Sequence, residues 1–346
     1  MQSATWNNTR NFLSKLTLYR VWNMLLIYLS YYFSKAFKKN IRAGLPFAVA
    51  FEPTTSCNLR CPECPSGLRS FTRPTGMLDT GFFKKQIDAI SEHTLYLTFY
   101  FQGEPYLHRD FLEMVGYANA KKIYTSTSTN AHYLSKANAI KTIESGLDRL
   151  IISIDGTTQE TYQQYRIGGQ LEKVLEGARN IIQAKKELNA ATPHVVFQFL
   201  AVKPNEHQIA DLYKLADEIG ADEVLLKTAQ VYDYENGNPL IPENEKYSRY
   251  KKTATGKYVL KNTLDNHCWK MWHSCVITWD GNVVPCCFDK DAQHVFGNLS
   301  QHTLTEIWNN QKYQQFRNRL IQSRKSIDIC TNCSEGCEVN FSLESY

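Results

Sequence analysis

Residues 46–64 read Pro46-Phe-Ala-Val-Ala-Phe-Glu52-Pro-Thr-Thr-Ser-Cys57-Asn-Leu-Arg-Cys61-Pro-Glu-Cys64. A short apolar run bounded by prolines reads as a buried strand, because proline cannot donate to a sheet ladder. The cysteines follow at once, at the strand's carboxyl end, where α/β domains carry their active-site loops. Three thiolates on one short loop can each ligate one iron of a [4Fe–4S] cubane, which leaves the fourth iron open to a chelating ligand. Zinc would want a fourth Cys or His nearby. The loop has none, and His93 is remote. A zinc knuckle and unligated thiols are the competing readings.

Outward from this stretch the chain alternates. Strands are expected at Leu95–Phe101, Ile123–Thr129, Leu150–Ile154, Val195–Val202 and Glu223–Lys227. Helices are expected between them at Asp79–Glu92, Phe111–Ala120, Ser135–Ser145, Leu171–Leu188 and Glu206–Ile219. Such alternation implies a parallel sheet with right-handed crossovers. Six units fall short of the eight of a closed barrel, so the fold class is α/β, a partial (β/α)6 TIM-like barrel. A small Cys-rich hairpin and helix domain follows it. Asp280-Gly281 between Val276–Trp279 and Val283–Pro285 is a strong hairpin signal. The expected organisation is an N-terminal helical segment at 1–45, the barrel at 46–230, a connector at 231–265 and the Cys-rich domain at 266–346.

The net charge of +5 is concentrated at one end. Residues 1–44 hold seven basic residues (Arg10, Lys15, Arg20, Lys35, Lys38, Lys39 and Arg42) and no acid, leaving 32 basic against 34 acidic residues elsewhere. No basic surface for nucleic acid is implied. Residues 21–37 are rich in Leu, Ile and aromatic residues, but their uninterrupted apolar run is only Met24–Leu29, far short of the ~20 residues of a spanning helix. Two readings stay open. The helix packs on the main domain or caps its barrel, or it lies at an anionic membrane surface. The expected location is the cytoplasm, or the inner face of the membrane as a peripheral protein.

Ten cysteines exceed what a core of this size needs for stability. Beyond the first three, Cys268, Cys275, Cys286 and Cys287 form one group and Cys330, Cys333 and Cys337 another. Tight groups with short gaps read as metal sites in a reducing compartment.

Across residues 46–228 the sequence resembles radical S-adenosylmethionine enzymes. Gln102-Gly103-Glu104-Pro105 matches the family's Gly-Gly-Glu-Pro element, with Gln102 in place of the first glycine. The resemblance implies that Cys57, Cys61 and Cys64 hold the cluster that reductively cleaves S-adenosylmethionine to a 5′-deoxyadenosyl radical. It implies that Gly103, Glu104 and Pro105 meet the cofactor's amino group. Thr129 and Ser153 then face the ribose and carboxylate region, and Arg166 meets the carboxylate. The family usually carries an aromatic residue before the third cysteine, beside the adenine; here it is Glu63.

The C-terminal pattern resembles the Twitch form of the SPASM extension. That implies one auxiliary [4Fe–4S] cluster on Cys268, Cys286, Cys330 and Cys333, suited to electron transfer. Cys275, Cys287 and Cys337 are left over. In some related dehydrogenases an Asp after the hairpin cysteine acts as base; here that place is Cys287, and Asp289 is near it. No catalytic acid or base is legible.

The implied activity is abstraction of a substrate hydrogen, with a reductant such as flavodoxin or ferredoxin feeding electrons. The substrate is a small molecule or lipid-linked metabolite undergoing dehydrogenation. The alternatives are a maturase of ribosomally made peptides and, outside enzymes, an iron–sulfur electron carrier or a zinc-structured binding module.

Overall fold

The computed structural model describes residues 2–336, so Cys337 lies outside the described residues. Six parallel strands lie side by side in chain order: β1 (Ala48–Phe51), β2 (Tyr96–Thr98), β3 (Tyr124–Thr129), β4 (Arg149–Ser153), β5 (His194–Ala201) and β6 (Glu223–Thr228). Two helices precede β1, α1 (Gln2–Ser14) and α2 (Leu18–Phe37). The crossovers after β1 carry α3 (Pro65–Leu68), α4 (Thr80–Ile90), α5 (Phe111–Ala120), α6 (Lys136–Glu144), α7 (Gln159–Tyr165), α8 (Leu171–Glu187) and α9 (Ile209–Ile219). This is the partial (β/α)6 barrel that the alternation implies.

Local chemistry sets the boundaries. Asp79 accepts the Phe82 N–H at 2.6 Å and Ser135 accepts the Asn138 N–H at 3.3 Å, so each satisfies an orphan donor of the helix it starts. Gly220 ends α9 in the left-handed region at φ +92°, which glycine adopts without a Cβ clash.

The connector after β6 forms a small antiparallel pair, β7 (Tyr250–Lys252) with β8 (Tyr258–Leu260). After α10 (Lys270–His273) come β9 (Ser274–Ile277) and β10 (Asn282–Val284), turned at Asp280-Gly281. Then follow β11 (Gly297–Asn298), α11 (Leu304–Asn309) and α12 (Gln311–Ser323). β9 runs parallel to β1, with Ala48 opposite Ser274 and Phe51 opposite Ile277. The C-terminal hairpin thus continues the barrel sheet, whose strand order is β11-β10-β9-β1-β2-β3-β4-β5-β6.

The amino ends of the strands are closed from below. The Tyr124 hydroxyl donates to Asn8 of α1, and Phe12 packs against the rings of Tyr96 and Tyr124. Asn11 and Lys15 reach Asp148, just before β4. α1 falls within the expected N-terminal helical segment, but its contact with the core rests on Asn8, Asn11 and Phe12 rather than on an apolar stripe.

At the same end Arg149 meets Glu223 through two N–H···O bonds of 3.0 and 3.1 Å, and His194 Nε2 meets the same carboxylate at 2.8 Å. Burial pushes the Glu223 carboxyl up, but the His194 and Arg149 bonds outweigh it and bring it to about 2. A carboxylate held below its unfolded value, ~4.3, stabilises the fold above that value. The contribution is lost as pH falls toward 2. Urea unfolding of the wild type should therefore weaken between pH 5 and pH 3. Glu223→Gln should be less stable at neutral pH and show a smaller loss over that window.

Candidate active site

The chain leaves β1 at Glu52, whose side chain is fully buried and accepts both Arg73 Nη groups at 2.6 and 2.8 Å. This bidentate pair pins the far end of the cysteine loop back onto β1. Between the two anchors, α3 folds against Cys61. A Cβ on Gly67 would lie 2.5 Å from the Cys61 nitrogen, so the turn closes only around a glycine. Gly103 is similarly constrained: at φ +76° its Cβ would fall 2.1 Å from the Thr54 carbonyl oxygen.

Cys57, Cys61 and Cys64 line one cavity of about 230 Å³ together with Gly103, Glu104, Thr129, Asn130, Ser153 and Arg166. Burial pushes the Cys57 thiol up to about 11, while the Leu59 N–H acts against it. Burial also raises Cys61. Protons must therefore leave these sulfurs when iron binds. Asn130 Nδ2 approaches Cys57 Sγ at 4.0 Å, Arg166 Nη1 approaches Cys61 Sγ at 3.8 Å, and the Cys64 thiol donates toward Gln102 at 3.8 Å. The donor set is all sulfur, and the pocket facing it is polar. It fits three corners of a cubane with room for a chelating cofactor.

Glu104 is buried, and burial raises its carboxyl. It accepts the Thr129 hydroxyl at 2.7 Å, the Asn130 N–H at 2.8 Å and the Tyr106 N–H at 3.2 Å. Glu104 and Thr129 thus brace the ends of β2 and β3 against each other. Ser153 is buried in the cavity wall. Arg166 donates through Nε to Asp155 at 2.5 Å, while the other Asp155 oxygen accepts the Leu200 N–H at 2.7 Å. Pro105 opens a single turn below Glu104 rather than lining the cavity. Glu63 accepts the Tyr232 N–H at 3.0 Å and faces a second, larger cavity.

That second cavity, about 420 Å³, runs along the inside of the sheet and shares Tyr100, Phe101, Ser128 and Tyr165 with the first. Four cations line it, Lys227, Arg249, Lys270 and Lys290, against the acids Glu63 and Glu335. Of these only Glu63 stood out in the sequence. The rest are scattered from Lys227 to Glu335 in strands, a short helix and loops, and only the fold brings them together. Its far wall includes Cys275, Cys286 and Cys287.

Cys286 also lines a narrow cleft with Cys268, Cys330 and Cys333. Burial raises all four thiols, Cys330 to about 11 and Cys333 to about 12. Arg324 Nη2 reaches Cys333 Sγ at 3.4 Å, and a Cβ on Gly336 would lie 2.4 Å from Cys268 Sγ. Four thiols, a cation and a glycine cradle suit a fully ligated cluster. Cys275 is buried apart from this cleft, in the core beside Arg317. Asp289 accepts the backbone N–H groups of Gln293 and His294 at 2.8 and 2.9 Å, so it caps a turn and does not face the large cavity.

A loop of three thiols before a polar pocket inside a partial barrel, with a second thiol set beside it, defines an iron–sulfur enzyme that works on a bound cofactor. Residues 51–216 match the family model of the radical SAM superfamily, and residues 268–334 match that of an iron–sulfur cluster-binding domain, SPASM. The chain belongs to the radical S-adenosylmethionine enzymes of SPASM type. Its cofactors are accordingly a [4Fe–4S] cluster, S-adenosylmethionine and auxiliary iron–sulfur. The electron-carrier and zinc-module readings fall away.

Among curated relatives, a tungsten-containing aldehyde ferredoxin oxidoreductase cofactor-modifying protein of Pyrococcus furiosus is 26% identical, covering 82% of this chain and 86% of its own. The PqqA peptide cyclase of Gluconobacter oxydans is 26% identical over 76% of each chain. Among solved structures, SuiB of Streptococcus suis bound to S-adenosylmethionine has a TM-score of 0.63 at 15% identity, covering 88% of this chain and 75% of its own. BtrN in complex with AdoMet and 2-DOIA has a TM-score of 0.51 at 18% identity, covering 87% and 97%. These structures share the fold.

Cys61→Ala should abolish formation of 5′-deoxyadenosine from S-adenosylmethionine with dithionite as reductant. Iron analysis should show loss of about four irons per chain. Normal cleavage by the variant would remove Cys61 from the ligand set.

Proposed function

We propose that this enzyme abstracts a hydrogen atom from a substrate held in the 420 Å³ cavity and passes an electron to one auxiliary [4Fe–4S] cluster on Cys268, Cys286, Cys330 and Cys333. The observation that carries this reading is the cavity itself. It adjoins the first cysteine loop through Gln102 and Tyr165 and reaches Cys286 at the other end. When bound to Cys57, Cys61 and Cys64, the first cluster and S-adenosylmethionine supply the 5′-deoxyadenosyl radical, with electrons from a reductant such as flavodoxin or ferredoxin.

The chain's own side chains orient and insulate. Gly103, Glu104 and Pro105 shape the edge where the cofactor's amino group sits. Thr129 acts as a positioning residue through Glu104, and Ser153 faces the ribose. Arg166, fixed by Asp155, carries Nη1 toward Cys61 Sγ, and its guanidinium would hold the cofactor carboxylate. Residues 46–230 form the radical unit and 266–346 the auxiliary-cluster unit.

The cationic lining suits an anionic substrate: a small molecule, or the polar head of a lipid-linked metabolite, undergoing dehydrogenation. The enzyme sits at the inner face of the membrane as a peripheral protein. The relative named as a peptide cyclase favours a second reading, modification of a ribosomally made peptide.

The test is to supply reconstituted enzyme with a metabolite extract or a peptide fraction, and to follow which species loses two hydrogens in step with 5′-deoxyadenosine. Coupling to a metabolite supports dehydrogenation of a small molecule. Coupling to a peptide alone establishes the second reading.

The double variant Cys330→Ala, Cys333→Ala should retain cofactor cleavage and the first cluster's absorbance while losing coupled product. Full product formation by a variant holding only about four irons would show that the auxiliary cluster takes no electron.

A further inference from the structure

The helix α2 is inside out for a surface helix. Such a helix ordinarily buries its apolar stripe and turns polar residues to water. Here the stripe Leu18, Trp22, Leu25, Leu29 and Phe33, spaced by four, three, four and four residues, is exposed along its whole length. The opposite stripe is buried, and four of its six residues are Arg20, Asn23, Ser30 and Ser34.

The buried face cannot be exchanged for the apolar one. Asn23 donates to the Leu45 carbonyl and accepts the Leu45 N–H, both at 2.8 Å. Ser34 donates to the Ile41 carbonyl at 2.6 Å and accepts the Ile41 N–H at 2.9 Å. Arg20 donates to the carbonyls of Lys15, Ser91, Lys121 and Lys122. Rolling the helix would strand all these groups, so its rotation is fixed by bonded polar contacts.

The exposed face is a patch rather than scatter. Of the 19 large hydrophobic side chains exposed among the described residues, 11 lie between Trp6 and Phe37. The charges of its own two helices are all basic, and the cleft beside Lys35 and Lys38 adds one acid, Asp265. Lys35, Lys38 and Lys39 stand exposed at the end of α2 and Arg10 on α1, and residues 1–44 contain no acid. No helix among the described residues is long and apolar enough to cross a membrane.

We infer that the outer face of α2, with Lys35, Lys38 and Lys39 at its carboxyl end, docks on an anionic lipid bilayer. Leu and Phe enter the acyl boundary, the Trp and Tyr rings lie at headgroup depth, and the lysines meet lipid phosphates. A second copy of this chain is the poorer occupant, because α1 and α2 carry no acid and the acid that lines the neighbouring cleft with Lys35 and Lys38, Asp265, already faces His267 at 3.5 Å. The inference deepens the peripheral location proposed above and rests on that reading, not on the reaction.

The test floats full-length, cluster-loaded enzyme with vesicles of phosphatidylcholine alone or mixed with phosphatidylglycerol, at low and high salt. The wild type should float with the mixed vesicles at low salt and lose most of that binding at high salt, where charge attraction is screened. The double variant Trp22→Glu, Leu25→Glu should bind at least tenfold more weakly. The triple variant Lys35→Gln, Lys38→Gln, Lys39→Gln should lose the preference for phosphatidylglycerol. Both variants should cleave S-adenosylmethionine at the wild-type rate, which certifies their fold and separates this test from that of the reaction. Failure of the wild type to float at low salt would overturn the inference, as would equal flotation of the Trp22→Glu, Leu25→Glu variant. A lipid-free dimer that this variant dissociates, without flotation, would assign the face to a second copy instead.

Discussion

The buried ion pair of Glu52 with Arg73 is the joint on which both halves of the catalytic machinery hang. Glu52 follows β1, which pairs in parallel with β2 on one edge and with β9 of the C-terminal hairpin on the other. Its own N–H is bonded to the Ile277 carbonyl at 2.9 Å, and one carboxylate oxygen accepts the Trp279 N–H at 3.3 Å. The other contacts of the carboxylate are with Arg73, beyond the cysteine loop. One side chain thus fixes the loop carrying Cys57, Cys61 and Cys64 and the hairpin leading to Cys286. Removing one member of such a buried pair costs about 3–5 kcal/mol, because the other charge is left unpaired in the interior. The loss would be felt at both sites.

A second fixed point is the run of polar strand ends around the smaller cavity. Glu104, Thr129 and Asn130 form a closed set of hydrogen bonds, and Asp155 shares its two oxygens between Arg166 and the Leu200 N–H. These carboxylates are satisfied before any ligand arrives. They set the positions of Gly103 and Arg166 at the rim of the smaller cavity.

Much of this was legible in the sequence because it rests on local rules. The strand before the cysteine loop, the alternation after it and the Asp280-Gly281 turn all depend on near neighbours in the chain. The gathering of Cys57, Cys61 and Cys64 follows from their spacing alone. What escaped depends on pairs far apart in sequence. The parallel pairing of β9 with β1 joins residues more than two hundred positions apart and has no periodicity to announce it. The place of Thr129 could be read, but not its bond to Glu104, which takes a hydroxyl expected to face the ribose. The N-terminal helix was visible as an apolar segment, yet its rotation is set by Asn23, Ser34 and Arg20, whose partners lie elsewhere in the chain.

The packing of α1 beneath the sheet ties the amino ends of β2, β3 and β4 together. Asn8 and Phe12 sit under Tyr124, and Lys15 and Asn11 under β4. The first helix is thereby stitched to three neighbouring strands, and a chain shortened by its first fifteen residues would leave the Tyr96 ring, the Tyr124 hydroxyl and the Asp148 carboxylate without these partners at the foot of the sheet.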